Sequence, residues 1–293
     1  AGIEPTRVLR IWDFTTRSAG NPTGRLVAMV KSSMEAAASA SVVIDSVHVP
    51  QGGPVAVVVE GRLGGLPRYL DETGALALDA SGNPVAAGTH DAPFRVVIPA
   101  GEGDYPFVMY GHGMGGNVHD DLFDDEIANL GMGKVGIQFH GFTDDTVGAT
   151  LGRLGEILSG AEKAAAGLMQ AIADGAAIQA AMGSVLGEAL AAPMLGEIEN
   201  PAAGKRPHTS FSAWVGGSLG GTMSLVAASA IPEVRYGILN VPGAGWTHFI
   251  AHSMVFDLIR SVMRAKYGSD LDAFHALAMS QSLWDEADGA SFT

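Results

Sequence analysis

The rhythm of apolar positions changes near residue 105. Before it, VLRIWDF (8–14), SVVIDSVHV (41–49), VAVVVEGRL (55–63) and FRVVIP (94–99) are β-branched or alternating runs, with QGGP and SGNP as turn chemistry between them. Such runs predict strands, and the segment over 24–40 predicts a helix. Beyond residue 105, the short runs FVMY (107–110), KVGIQF (134–139), SFSAWV (210–215) and YGILNV (236–241) alternate with long helical stretches, and each is followed by a glycine-containing turn. That alternation is expected of βαβ units building a mostly parallel sheet.

Residues 151–195 carry Leu151, Leu154, Leu158, Ala161, Ala165, Leu168, Met169 and Ile172 at spacings mostly of three or four. They predict one or two amphipathic helices, longer than a single crossover needs, so that part of the insert over 151–197 could cover a substrate cleft. Pro193 and Pro201 are placed to end it. The tail over 246–293 is helical by pattern, with Phe249, Met254, Phe256, Leu258, Ile259, Val262 and Met263 clustered, and then Leu271, Phe274, Leu277 and Met279. Three regions result: a β-rich segment over 1–104, an α/β core over 105–245 and a helical cap over 246–293.

Composition narrows the classes. With 47% hydrophobic residues, 40 glycines and 16% charged residues the chain is that of a packed globular protein. Thirty-one acidic against 17 basic residues give a formal charge of −14, which repels polyanions and removes nucleic acid from the expected partners. The absence of cysteine excludes disulfides and thiolate metal sites. The first residues, AGIEPTRVLR, do not have the basic and then apolar layout of a signal peptide.

The most specific chemistry lies in VGGSLGG (215–221). A serine exposed on a sharp turn between a strand and a helix needs neighbours almost free of side chains, and Gly216 and Gly220 fill both glycine positions of G-x-S-x-G around Ser218. The apolar SFSAWV run precedes it and TMSLVAASA (222–230) follows as a helix rich in small residues. The helix would turn its positive end toward the serine, with the Leu219 N–H as the first oxyanion donor. Ser218 could instead merely cap that helix.

A second glycine turn, YGHGMGG (110–116), follows the FVMY strand. Acyl transfer at a serine needs a second N–H donor from a neighbouring strand's loop, and this turn is placed to give it. The turn resembles the HG-x-x-G oxyanion loop of bacterial lipases. That resemblance makes His112 and Gly113 the HG pair, gives Met114 the second donor N–H and leaves His112 to hold the loop through hydrogen bonds. Gly111, Gly113 and Gly116 also satisfy the dinucleotide fingerprint G-x-G-x-x-G, but the next strand ends in His140 and Gly141 rather than in an acid for a ribose.

Taken in order, IWDFTTRS, LPRYLDETGALALDASGNPV, PFRVVIP, YGHGMGG, GGSLGG and YGILNVPGAG resemble a family of bacterial, largely secreted α/β-hydrolases related to virulence-factor-type lipases. The resemblance implies an α/β-hydrolase fold, esterase or lipase activity, no cofactor, and a secreted, periplasmic or cell-envelope location. In this fold the triad runs serine, acid, histidine along the chain, the last two on loops after later strands. Here one strand, YGILNV, follows Ser218, and its turn PGAGW carries no acid. A processed or two-chain molecule is therefore expected, with a companion polypeptide supplying the acid and histidine to a small-molecule or lipid ester site. The contrasting expectation is a hydrolase fold without catalysis, acting in binding or assembly.

Other clusters have plainer readings. His248 and His252 are four apart on a predicted helix, but Phe249 stands where a zinc protease motif needs Glu. His275 falls within a helical run rather than on a loop. The acids Asp120, Asp121, Asp124, Asp125 and Glu126 lack the regular spacing of a calcium loop and suit the first turn of a helix. No metal site is expected. Of Trp12, Trp214, Trp246 and Trp284, Trp246 is the one expected beside an acyl pocket.

Overall fold

A computed structural model describes residues 23–292. The predicted strand over 8–14, with Trp12, lies outside the described residues. In chain order the elements are α1 (Gly24–Ala37), β1 (Ser41–His48), β2 (Val55–Pro67), β3 (Thr89–Pro99), β4 (Tyr105–Gly111), α2 (Asp124–Asn129), β5 (Gly133–Ile137), α3 (Val147–Arg153), α4 (Ile157–Met182) and α5 (Val185–Leu190). A short ribbon follows, β6 (Met194–Leu195) with β7 (Ile198–Glu199), then β8 (Pro207–Gly217), α6 (Leu219–Ala230), β9 (Tyr236–Asn240), α7 (Trp246–His252), α8 (Asp257–Tyr267), α9 (Asp270–Met279) and α10 (Gln281–Trp284).

Seven strands form one sheet in the order β1-β2-β3-β5-β4-β8-β9. The ladders β1–β2, β2–β3 and β3–β5 are antiparallel, and β5–β4, β4–β8 and β8–β9 are parallel. The sheet is therefore mixed: parallel from β5 through β4 and β8 to β9, and antiparallel among β1, β2 and β3 and where β3 meets β5. Strands β4 and β8 lie side by side next to the edge strand β9, with Gly111 opposite Gly216, so the two glycine turns seen in the sequence leave the same end of the sheet together.

Strand pleating sends alternate residues to opposite faces. Val57, Val59, Phe94, Val96, Ile98, Phe107, Met109, Val135, Ile137 and Trp214 join the main core with helices α1, α4 and α6. Val55, Val58 and Val97 form a smaller cluster with Ala128 of α2. Helix α1 buries Leu26, Met29, Val30, Ser33 and Ala37, the one-face spacing of an amphipathic helix.

Helix α4 departs from the expected amphipathic pattern. Every residue from Leu168 to Gln179 is buried, so this stretch is enclosed all round rather than laid over a cleft. Its small residues explain how it fits. A Cβ on Gly175 would lie 2.5 Å from Trp214, one on Gly167 2.8 Å from the His140 carbonyl, and one on Gly160 2.2 Å from the Arg153 carbonyl. The Leu stripe is core only in part, since Leu158 is exposed. The tail cluster also divides: Phe256, Ile259, Met263 and Leu277 are buried, whereas Met254, Leu258, Leu271 and Met279 are exposed. Among the described residues no helix is long and apolar enough to cross a membrane.

One acid of the acidic run, Asp124, neutralises basic groups of the sheet. Asp124, Asp125 and Glu126 occupy the first turn of α2. The buried Lys134 ammonium donates to the Asp120 and Leu122 carbonyls and to Asp124 Oδ1 at 2.7–2.8 Å, and it lies 4.2 Å from the centre of the Tyr110 ring. Arg95 Nη2 donates to Asp124 Oδ2 at 2.6 Å. Asp124 thus holds α2 against β3 and β5, while Asp121, Asp125 and Glu126 are exposed.

Gly175→Ala is expected to destabilise the protein by about 1–3 kcal/mol, because the added methyl must displace the indole of Trp214. Gly152→Ala, where a Cβ meets nothing within 4 Å in α3, is expected to be neutral or to stabilise by about 0.5–1 kcal/mol. Urea unfolding midpoints test the pair. An unchanged midpoint for Gly175→Ala would mean that α4 does not pack on Trp214 in this register.

Candidate active site

The turn between β8 and α6 is set by glycine packing. A Cβ on Gly220 would stand 1.9 Å from the Gly111 carbonyl oxygen, and one on Gly216 2.5 Å from the Gly220 carbonyl carbon. Neither leaves room for a side chain, so α6 starts in direct backbone contact with β4 and β8. Ser218 sits at the apex with φ 55° and ψ −117°, outside the broad regions open to non-glycine residues and a conformation costing on the order of 1–3 kcal/mol. The Ser218 N–H donates to the Asn240 carbonyl at 3.0 Å and its own carbonyl accepts from Thr222 N–H at 3.0 Å. These bonds hold the strained turn between β9 and α6.

The Ser218 side chain is exposed and makes no capping hydrogen bond, so the capping reading of this serine does not describe the structure. Its Oγ is free to face a cavity of about 210 Å³ lined by Met114, Ser218, Leu219, Thr222, Val241, Gly243, Trp246, Phe249 and Phe256 among others. Val241, a β-branched residue at φ 44°, turns the chain from β9 along the cavity wall. Thr222 Oγ1 accepts from Gly243 N–H at 2.8 Å and ties that wall to α6.

The loop after β4 comes up beside this turn. A Cβ on Gly113 would lie 4.0 Å from Ser218 Cβ and 3.8 Å from the Gly217 carbonyl. Among the described residues the N–H groups of Met114 and Leu219 have no protein partner, and both residues line the cavity. Two free donors from different loops therefore border the space in front of Ser218, an arrangement able to receive a developing oxyanion.

His112 is buried beneath the loop. Its Nε2 accepts from the Phe139 N–H at 3.0 Å, which requires Nδ1 to carry the proton and donate to the Gly113 carbonyl at 2.7 Å. The ring also packs on Phe139, 5.0 Å between centroids. Gly115 N–H donates to the Phe142 carbonyl and Asp144 N–H to the Gly116 carbonyl, so residues 139–144 brace the loop along its length. YGHGMGG does not lead directly into a helix. The next one, α2, begins at Asp124, which removes the dinucleotide reading because that fingerprint must open a helix.

Trp246 is buried and lines the cavity. It stacks on Trp284 at 4.7 Å and touches Phe249 at 4.5 Å, while its Nε1 donates to the Ala287 carbonyl. The buried carboxylate of Asp288 accepts from Gly245 N–H and Trp246 N–H, both at 2.8 Å, and so caps α7. Its sequence context gave no sign of this, because the partners lie more than 40 residues away.

The nine histidines of the chain are His48, His90, His112, His119, His140, His208, His248, His252 and His275, and none lines the cavity of Ser218. His248 and His252 pack on each other along α7 with ring centroids 4.6 Å apart. His275 lies inside α9.

Burial pushes the His112 imidazole below its ordinary value, outweighing the raising effect of its bond to the Gly113 carbonyl. A proton on Nε2 would also put a donor against the Phe139 N–H. The unfolded ring titrates at about 6.5, so the unfolded chain takes up a proton on acidification before the folded chain does. The stabilisation is complete above that value and is lost as pH falls toward the lowered folded value. Urea midpoints are therefore expected to drop between about pH 7.5 and pH 5, with a shallower drop in His112→Asn. Parallel slopes for the two proteins would show that His112 is not the titrating group.

No protein-family model and no curated protein matches the sequence. Among solved structures the chain is similar to acetyl xylan esterase 1 from a Thermoanaerobacterium species, with a TM-score of 0.51 and 13% identity over 90% of this chain and 74% of that one. It is also similar to an acetyl xylan esterase from a Paenibacillus species, with a TM-score of 0.49 and 17% identity over 91% of this chain and 74% of that one. At such identity the likeness to the Thermoanaerobacterium enzyme speaks for architecture alone, and it agrees with the mixed sheet, the strand-turn-helix at Ser218 and the loop that faces it: the chain has the α/β-hydrolase fold.

Proposed function

We propose that this protein is a carboxylic-ester hydrolase acting through a serine acyl-enzyme. Ser218 attacks the ester carbonyl, the Met114 and Leu219 N–H groups hold the oxyanion, and an alcohol leaves as the acyl group is transferred to Oγ. Water then releases the acid. The observation that carries this reading is the exposed serine on a strained turn, 4.0 Å at Cβ from the position a Cβ would take on Gly113, with two unpaired N–H donors beside it. The apolar lining of Met114, Leu219, Val241, Trp246, Phe249 and Phe256 suits an acyl chain, which is the lipase or esterase class.

The general base and its orienting acid are assigned to a companion polypeptide. Two observations support this. None of the chain's histidines lines the cavity. Strand β9 is also an edge with Tyr236 and Ile238 exposed, and an apolar edge of this kind is suited to receive further strands. The family resemblance adds a secreted or cell-envelope location in a bacterium. A second reading, a hydrolase fold that binds or assembles without catalysis, is favoured by the same lack of a base.

Treatment of the native preparation with a fluorophosphonate, followed by peptide mass analysis of every chain present, separates the two. The esterase reading expects a covalent adduct on Ser218 that disappears in Ser218→Ala, together with ester turnover lowered on the order of 10⁶-fold. If Ser218 stays unlabelled while companion chains bearing an acid and a histidine are present, the catalytic reading fails and the binding one stands.

A further inference from the structure

Away from Ser218, three residues distant in sequence meet at one point. His90 opens β3, His140 lies in the turn after β5, and Asp174 is carried by the enclosed part of α4. His90 Nε2 is 2.9 Å from Asp174 Oδ1 and His140 Nε2 is 2.8 Å from Asp174 Oδ2. The donor atoms of all three lie within 4.8 Å of one another. The Asp174 side chain is 5% exposed, and those of His90 and His140 are 18% and 26% exposed.

We propose that His90, His140 and Asp174 form a binding site for a divalent transition metal of the zinc class. Both imidazoles present the same nitrogen, one to each oxygen of a buried carboxylate, and neither Lys nor Arg pairs with that carboxylate among the described residues. Imidazole and carboxylate donors in this number, with a position left open, are what zinc takes at sites with three protein ligands. Ligand bonds of about 2.0–2.1 Å in a tetrahedron place donor atoms roughly 3.3 Å apart, so each contact need open only slightly to admit the ion.

The surroundings are built for the purpose. Gln170, one turn before Asp174, donates Nε2 to Asp174 Oδ1 at 2.8 Å and to the Pro67 carbonyl at 3.1 Å, while its Oε1 accepts from Tyr69 N–H at 2.6 Å. This outer hydrogen bonding fixes the orientation of the carboxylate. The same Nε2 lies 3.3 Å from His90 Nε2, so Gln170 stands against both His90 and Asp174. A cavity of about 150 Å³ reaches His140, with Arg153 and Lys163 in its wall, and gives a fourth ligand, water or a small anion, a path to the ion.

The ion would join β3, α4 and the turn at His140. That turn runs on into residues 139–144, which hold the loop of His112, Gly113 and Met114. The site therefore braces the neighbourhood of Ser218 without touching it. Its occupancy does not depend on whether Ser218 is a nucleophile.

The test uses the full chain, dialysed against a chelator and titrated with Zn²⁺ by calorimetry and with Co²⁺ by visible absorption. One equivalent per chain is expected, with a ligand-field band for Co²⁺ and a raised melting temperature with Zn²⁺. Asp174→Asn, nearly equal in volume, and His140→Gln, at the partly exposed ligand, are each expected to abolish stoichiometric binding while keeping the far-ultraviolet circular dichroism of the parent. Gln170→Ala is expected to weaken binding about 10- to 100-fold. Failure of the parent chain to bind one equivalent, or parental affinity in folded His140→Gln, would overturn the proposal.

Discussion

The backbone contact of helix α6 with strands β4 and β8 governs the geometry around Ser218. Gly220 meets the Gly111 carbonyl so closely that no side chain fits, and Gly216 meets the start of α6 in the same way. Because the helix cannot stand farther off without breaking these contacts, the residue between strand and helix must take an unusual backbone conformation. That residue is Ser218. Its exposure, and the orientation of the first N–H groups of α6 toward the cavity, follow from this crossing.

The loop opposite is held by a different principle. His112 is buried as a neutral ring that accepts from one backbone group and donates to another. In a low-polarity interior such a ring gives directional bonds without the cost of burying a charge. The bracing continues through residues 139–144 to His140 and thence to Asp174 in α4. The long buried helix is thus connected mechanically to the loop that borders Ser218, and its composition, small residues interrupted by Gln170, Asp174 and Gln179, reflects both duties. Gln179 receives the Trp214 indole N–H and donates to Ser212 on β8, so each buried polar group of α4 anchors a different part of the sheet.

An acidic chain meets the problem of its own charge locally. Lys134 and Arg95 are turned inward against Asp124 and the carbonyls at the start of α2. Burial lowers the Lys134 ammonium from its ordinary value, with Asp124 acting against that effect. Most of these acids form a solvated helix start, as their sequence suggests, while Asp124 among them fastens α2 to the sheet. The apolar surface is also unevenly distributed along the chain: Tyr236 and Ile238 on β9 and Val241, Met254, Leu258 and Leu271 after it are all exposed.

Period and turn chemistry in the sequence determined most of the strands, because a run such as VAVVVEGRL or SFSAWV can bury its side chains in few other ways. They also determined the turn at Ser218 and the facing loop, since glycine-flanked positions between a strand and a small-residue helix report close packing directly. The amphipathic reading of α4 holds over its first turns and fails beyond Leu168, because enclosure on every side depends on what α1 and the sheet bring against it, and no spacing within the helix records that. The convergence of His90, His140 and Asp174, the cap formed by Asp288 and the inward turn of Lys134 were equally unreadable. Their partners are joined by the packing of separate elements, and only the tertiary structure brings such groups within hydrogen-bond distance.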